Sequence, residues 1–195
     1  GLATRLEAQQ VPSERRDDTI VPARHDPHAP QPLSPAQWRV WFLDQLVPGS
    51  AAYTIVDARL LPGPLDVGAL SRALTELVHR HEALRSPVVS VDGAPMQVVV
   101  DPTPVTLSVT DLARDDVAEA LRAEASTPIE LTSDSLLRAR LWRLGRDEYV
   151  LCLAVHHVAF DEWSLDVFQA ELSVLYAGFR SGEPITLTPP VLQYG

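Results

Sequence analysis

The chain has 195 residues, 46% hydrophobic and 22% charged, which suits one globular domain, or one lobe of a larger one, with enough apolar material for a core. Its formal net charge of −10 excludes nucleic acid gripped by a basic face, and any acidic partner would need a local cluster of arginines. No run of about 18 apolar residues offers a membrane span, and charges and prolines throughout the first thirty residues exclude a secretory signal, so a cytoplasmic protein is expected.

Residues 1–10 read as the end of a helix, with Leu2 and Leu6 on one face. A linker is expected over 11–32, where Pro12, Pro22, Pro27, Pro30 and Pro32 stand among charges. A helical end followed by a linker suggests a preceding domain. The globular part begins with a helix start at Ser34-Pro35-Ala36-Gln37: serine caps, proline takes the first helical position, and Gln37 closes a capping box. Trp38, Trp41, Phe42 and Leu46 form its predicted apolar face, and Pro48-Gly49 stops it.

Residues 53–61 read as a strand, and Asp66 caps a second helix whose face is Val67, Leu70, Leu74, Leu77 and Val78. Runs 87–91 and 96–100 flank Asp92-Gly93, a strong hairpin signal, and a third β-run covers 105–109. An alanine-rich helix is predicted over 115–126. Strands follow over 136–144 and 149–155, the second apolar throughout, as a central buried strand would be. Cys152 lies inside that run and reads as a small core residue with no disulfide partner in the chain. The last helix is predicted over 164–180, with Val167, Phe168, Leu172, Leu175, Tyr176 and Phe179 inward and Gly182 just past its end. The fold class is α/β (α+β), with a mixed sheet. All sixteen basic residues are arginine, which with abundant alanine hints at a GC-rich bacterial genome.

The segment His156-His157-Val158-Ala159-Phe160-Asp161-Glu162-Trp163-Ser164 stands where a buried strand ends and a helix begins. Strand ends are where α/β proteins place chemistry, because a rigid sheet holds loops that converge on an opening. If the strand persists, the two histidines point to opposite faces, one towards a cavity and one into the core. They therefore do not share a metal, and no spacing ties His79 or His81 to them, so no metal site is expected. A histidine at a strand end can act as a base near neutral pH. Taken alone, His157 and Asp161 also fit a simple local pair four residues apart.

These residues resemble the HHxxxDG signature of the condensation domains of nonribosomal peptide synthetases. Two further segments agree, in the right order. LSPAQWRVWFLDQL, residues 33–46, is similar to the family's opening motif, and RHEALRS, residues 80–86, to its R-H-E-x-L-R-T motif. The resemblance implies a chloramphenicol-acetyltransferase-like lobe over 33–195, the first of two that enclose a tunnel. Later motifs of the second lobe are not in the sequence, and residues 1–10 resemble the end of a carrier domain.

The implied activity is peptide-bond formation: the amine of a carrier-bound aminoacyl acceptor attacks a carrier-bound acyl or peptidyl thioester, in antibiotic or siderophore biosynthesis. No cofactor is bound directly; the phosphopantetheine arms come with the upstream and downstream carrier partners. The other partners implied are the second lobe and a neighbouring adenylation domain. His157 matches the signature's second histidine, at the reaction centre, and His156 the first, in a supporting role. Asp161 matches the aspartate that pairs with an arginine, for which Arg80 is favoured over Arg85. Ser164 is expected to cap the following helix. The signature's glycine is Glu162 here, which with Trp163 makes a candidate for the acceptor channel. Rival readings are an inactive condensation-like domain that recruits a modifying enzyme, a coenzyme A-dependent acyltransferase, and an epimerisation domain.

Overall fold

The computed structural model describes residues 26, 29–190 and 193. The helical end expected over 1–10 and most of the linker lie outside the described residues. Gln31 and Pro32, assigned above to the linker, instead form β1, which pairs with the hairpin strand β4 (Ala94–Gln97), so the folded unit begins before Leu33.

Helix α1 (Pro35–Leu46) starts as its sequence dictates. The Ser34 hydroxyl accepts from the Gln37 N–H at 3.2 Å while the Ser34 N–H donates to Gln37 Oε1 at 2.9 Å. The remaining end of Gln37 is buried and donates to Gln97 at 3.1 Å, which fixes the helix to the hairpin. The predicted apolar face is corrected. Only Trp41 of that set packs against the core, alongside Val40. Trp38 and Phe42 stack on each other in the open, and Leu46 is 61% exposed. The helix is apolar nearly all round, so periodicity could not choose its inner side.

Strand β2 (Thr54–Pro62) leads to α2 (Val67–Arg80), capped by Asp66 as expected. The hairpin of β3 (Val88–Val91) and β4 turns on Asp92 and Gly93, both at positive φ. The strand expected at 105–109 is displaced to a short β5 (Val109–Asp111). Helix α3 (Val117–Ala125) precedes β6 (Leu137–Gly145) and β7 (Glu148–His156), and α4 (Glu162–Ser181) ends at Gly182 in the left-handed region.

The main sheet has the order β2-β7-β6-β5, antiparallel except for the parallel β5–β6 pair, so β7 is central, as its unbroken apolar run requires. On one face, α2 and α4 bury Leu70, Leu74, Leu77, Phe168 and Leu175 against Leu151, Leu153 and Val155. On the other, α3 covers Trp142, Val150 and Cys152. Burial pushes the Cys152 thiol up to about 11, which leaves it an inert core group. Beyond α4 the chain folds back along that helix. A Cβ at Gly178 would overlap Ile185, so the close approach depends on the glycine.

Candidate active site

Strand β7 delivers two adjacent histidines to the sheet edge with opposite fates. His156 follows Ala154 onto the face below α1, and is 1% exposed. Its Nδ1 accepts from the Val158 N–H at 3.1 Å, so the neutral ring carries its proton on Nε2, which has no partner among the described residues. Desolvation, with a smaller effect from His157, pushes its pKa down to about 4. The strand is still held at His157, whose N–H donates to Tyr53 at 2.8 Å, but the side chain is exposed to a cavity.

The His157 ring is oriented from behind. Its Nδ1 lies 2.8 Å from the Phe160 carbonyl. A carbonyl oxygen only accepts, so Nδ1 carries the hydrogen and Nε2 keeps its lone pair. Phe160 is itself buried edge-on against Phe168, which anchors the turn that supplies this carbonyl. Local chain geometry thus fixes both tautomers without another charged group.

Asp161 is the N-cap of α4. Its Oδ1 accepts from the Ser164 N–H at 2.8 Å and from the Ser164 hydroxyl at 2.6 Å. These two bonds, with a weaker pull from His157, hold its carboxyl below the usual range. Two expectations are corrected here. Ser164 is capped by Asp161 and does not itself cap the helix. Asp161 pairs with neither Arg80 nor Arg85.

Arg80 donates from Nε to both oxygens of Glu171 at 3.0 Å, and also reaches the Thr188 carbonyl. Arg85 is buried and donates to the carbonyls of Val78, His79 and Val100 at 3.2, 3.2 and 2.6 Å. It therefore closes the carboxyl end of α2. The reason is reach and competition: an N-cap side chain turns back onto its own first turn, and Glu171 stands on the α4 face that meets α2.

The cavity measures about 430 Å³. Gln37, Arg39 and Val40 from α1 line it, with His81, Ala83 and Leu84 beyond α2, and His157, Asp161, Trp163, Val167 and Phe168. Trp163 is 81% exposed, so it borders the opening without filling it. Glu162 is exposed on the first turn of α4. Val167, expected inward, belongs to this wall. Arg39, His81 and Gln193 were missed in the sequence as site residues; the first two lie inside the opening and arginine motifs, which was the available signal. No three His, Cys, Asp or Glu side chains converge as a metal site among the described residues.

The Condensation domain family matches residues 28–194. The chain belongs to the condensation-domain family. Among curated relatives, it is 41% identical over 182 residues to the chondramide synthase of Chondromyces crocatus, covering 89% of this chain and 5% of that protein. It is 40% identical over 167 residues to the beauvericin nonribosomal cyclodepsipeptide synthetase of Gibberella fujikuroi, covering 85% of this chain and 5% of that one.

Among solved structures, this condensation-family chain superposes on the X-domain from teicoplanin biosynthesis with a TM-score of 0.81 at 31% identity, over 89% of this chain and 38% of the other. The first condensation domain of the CDA synthetase gives 0.74 at 28%, over 82% and 43%. The chain thus spans about two-fifths of the solved chains and a few per cent of the curated relatives it matches.

Proposed function

We propose that this lobe forms the catalytic wall of an amide-forming acyltransferase, in which a carrier-bound aminoacyl amine attacks a carrier-bound acyl or peptidyl thioester. The observation that carries this reading is the His157 ring, with Nδ1–H spent on Phe160 and the Nε2 lone pair left for the cavity. Nε2 accepts a hydrogen bond from the acceptor amine and aims the nitrogen at the thioester carbonyl. The C–N bond forms, the C–S bond breaks, and the thiolate leaves with a proton. Positioning of this kind can supply several kcal/mol of the barrier.

The phosphopantetheine arms belong to the upstream and downstream carrier domains, and nothing further is required as cofactor. The second lobe of the same domain closes the tunnel, and an adenylation domain neighbours it. Trp163, which borders the opening, and its neighbour Glu162, which stands at the family's glycine position, shape the acceptor channel. His156 supports the strand end from the core, Asp161 starts α4, and the parent synthetase is cytoplasmic.

A second reading draws on the X-domain likeness, since one X-domain structure is a complex with OxyB: a non-catalytic platform for a modifying enzyme. Retention of His157 and Asp161 favours catalysis. The test supplies loaded donor and acceptor carriers to the complete domain, its His157→Ala variant and the present 195-residue chain, following dipeptidyl-carrier product by mass spectrometry. Product is expected from the complete domain alone. No product from the unaltered complete domain supports the platform. Turnover by the isolated lobe within about tenfold of the complete domain overturns the role given to the second lobe in positioning.

A further inference from the structure

The cavity holds a second imidazole that the reaction as described leaves idle. His81 follows the last residue of α2 and lines the same opening as His157. Its Nε2 lies 2.6 Å from Glu171 Oε2. Glu171 is in turn gripped by Arg80 Nε through both oxygens at 3.0 Å. The three side chains are largely enclosed, at 26%, 14% and 12% exposure in the order His81, Glu171, Arg80. A carboxylate held by an arginine only accepts, so His81 Nε2 carries the hydrogen and Nδ1 keeps the lone pair.

An imidazole oriented by a carboxylate at one nitrogen, with the other free, is the arrangement that handles protons in many active sites. Among the described residues, the charged and titratable groups around it are Arg80 and Glu82 on its own segment, Glu171 on α4, and Arg39, His157 and Asp161 around the opening.

An aminoacyl acceptor arrives near neutral pH largely as an α-ammonium, which has no lone pair for attack. His157 Nε2 cannot be both the group that aims the amine and the sink for its proton without losing the hydrogen bond it accepts. We propose that His81, oriented by Glu171, takes the first proton from the acceptor ammonium, leaving His157 to position the neutral amine. The ammonium proton passes to His81 Nδ1. The amine attacks, the C–N bond forms, and collapse of the adduct breaks the C–S bond. The second amine proton leaves with the thiolate as thiol, and His81 returns its own to water at its exposed edge. This inference rests on the amide-forming reading above.

The test uses the complete condensation domain in its parent synthetase, with single-turnover product formation measured at saturating acceptor between about pH 6.5 and 9. His81→Gln keeps an N–H for Glu171 and removes the proton acceptor. It is expected to stay within about threefold of wild type at about pH 9 and to fall more than about tenfold behind at about pH 6.5, where most α-amine is protonated. An acceptor bearing a weakly basic hydroxylamine nitrogen should restore the variant at the acid end of the range.

A loss of equal size at every pH, or no loss at the acid end, overturns the proposal. If His81→Gln fails to fold, His81→Asn, which also lacks the imidazole, carries the same comparison. Wild type gives a reading of its own: a rate that follows the free-amine fraction down to about pH 6.5 overturns the role for His81. Absence of product from wild type at every pH instead removes the amide-forming reading itself.

Discussion

Acidification should reveal His156 as a neutral core group. The ring is 1% exposed, its Nδ1 lone pair is committed to the Val158 N–H, and its pKa falls from 6.5 to about 4. The unfolded chain takes up this proton near pH 6.5, whereas the fold takes it only near pH 4. The associated stability is therefore complete above pH 6.5 and is lost as the pH falls through that window, with no further change below it.

At about 1.4 kcal/mol per unit, the window amounts to about 3 kcal/mol. With a urea slope of about 2 kcal/mol per molar for a chain of this size, that is a midpoint shift of about 1.5 M. The control is His156→Asn, which keeps an acceptor for Val158 and cannot ionise. Urea unfolding of both proteins at about pH 7.5, 5.5 and 4 separates this group from the carboxylates common to the two. The wild type's advantage over the variant should shrink by about 3 kcal/mol between about pH 7.5 and 4. Parallel curves, with the advantage constant to about 0.5 kcal/mol, would refute the burial argument.

Arg85→Met strands the Val78 and His79 carbonyls at the end of α2 and that of Val100 beyond the hairpin, and should cost about 3 kcal/mol in urea unfolding, with Arg85→Lys recovering part of it. Asp161→Ala removes only a helix cap, so about 1 kcal/mol is expected, and its effect should add to that of Arg80→Met in a double-mutant cycle. The exposed α1 face should drive concentration-dependent association of the isolated chain. Sedimentation velocity should show that association disappearing when Trp38 and Phe42 are replaced by serine.

Features written in neighbouring residues were legible in the sequence. The Ser34–Gln37 box, the Asp66 cap, the Asp92-Gly93 turn and the apolar β7 each state their structure within a few positions, because the forces involved act over one turn or one pleat. The opposite facing of His156 and His157 followed from the same local rule. Features decided by competition between distant groups were not legible. Arg80 had several acidic residues within the chain to choose from, and only the packing of α2 on α4 selects Glu171. The inner side of α1 depends on Gln37 finding Gln97, sixty residues away, while large apolar side chains remain outside. The cavity was half visible, since the strand-end histidine was found while its walls from α1 and from the residues beyond α2 come together only in the fold.

The first turn of α4 carries one more consequence, for how such a site changes over generations. Asp161 starts the helix and Phe168 anchors it, while Glu162 and Trp163 between them are exposed and have no part in the core. Substitutions there change the opening at Trp163 and the surface next to it at little cost to folding, because surface positions away from caps and packing tolerate change to within about 0.5 kcal/mol. His156, one strand end away, has no such freedom. On the amide-forming reading proposed above, drift at positions 162 and 163 changes the acceptor channel while His157 stays fixed, and a directed library confined to those two residues would explore the same latitude.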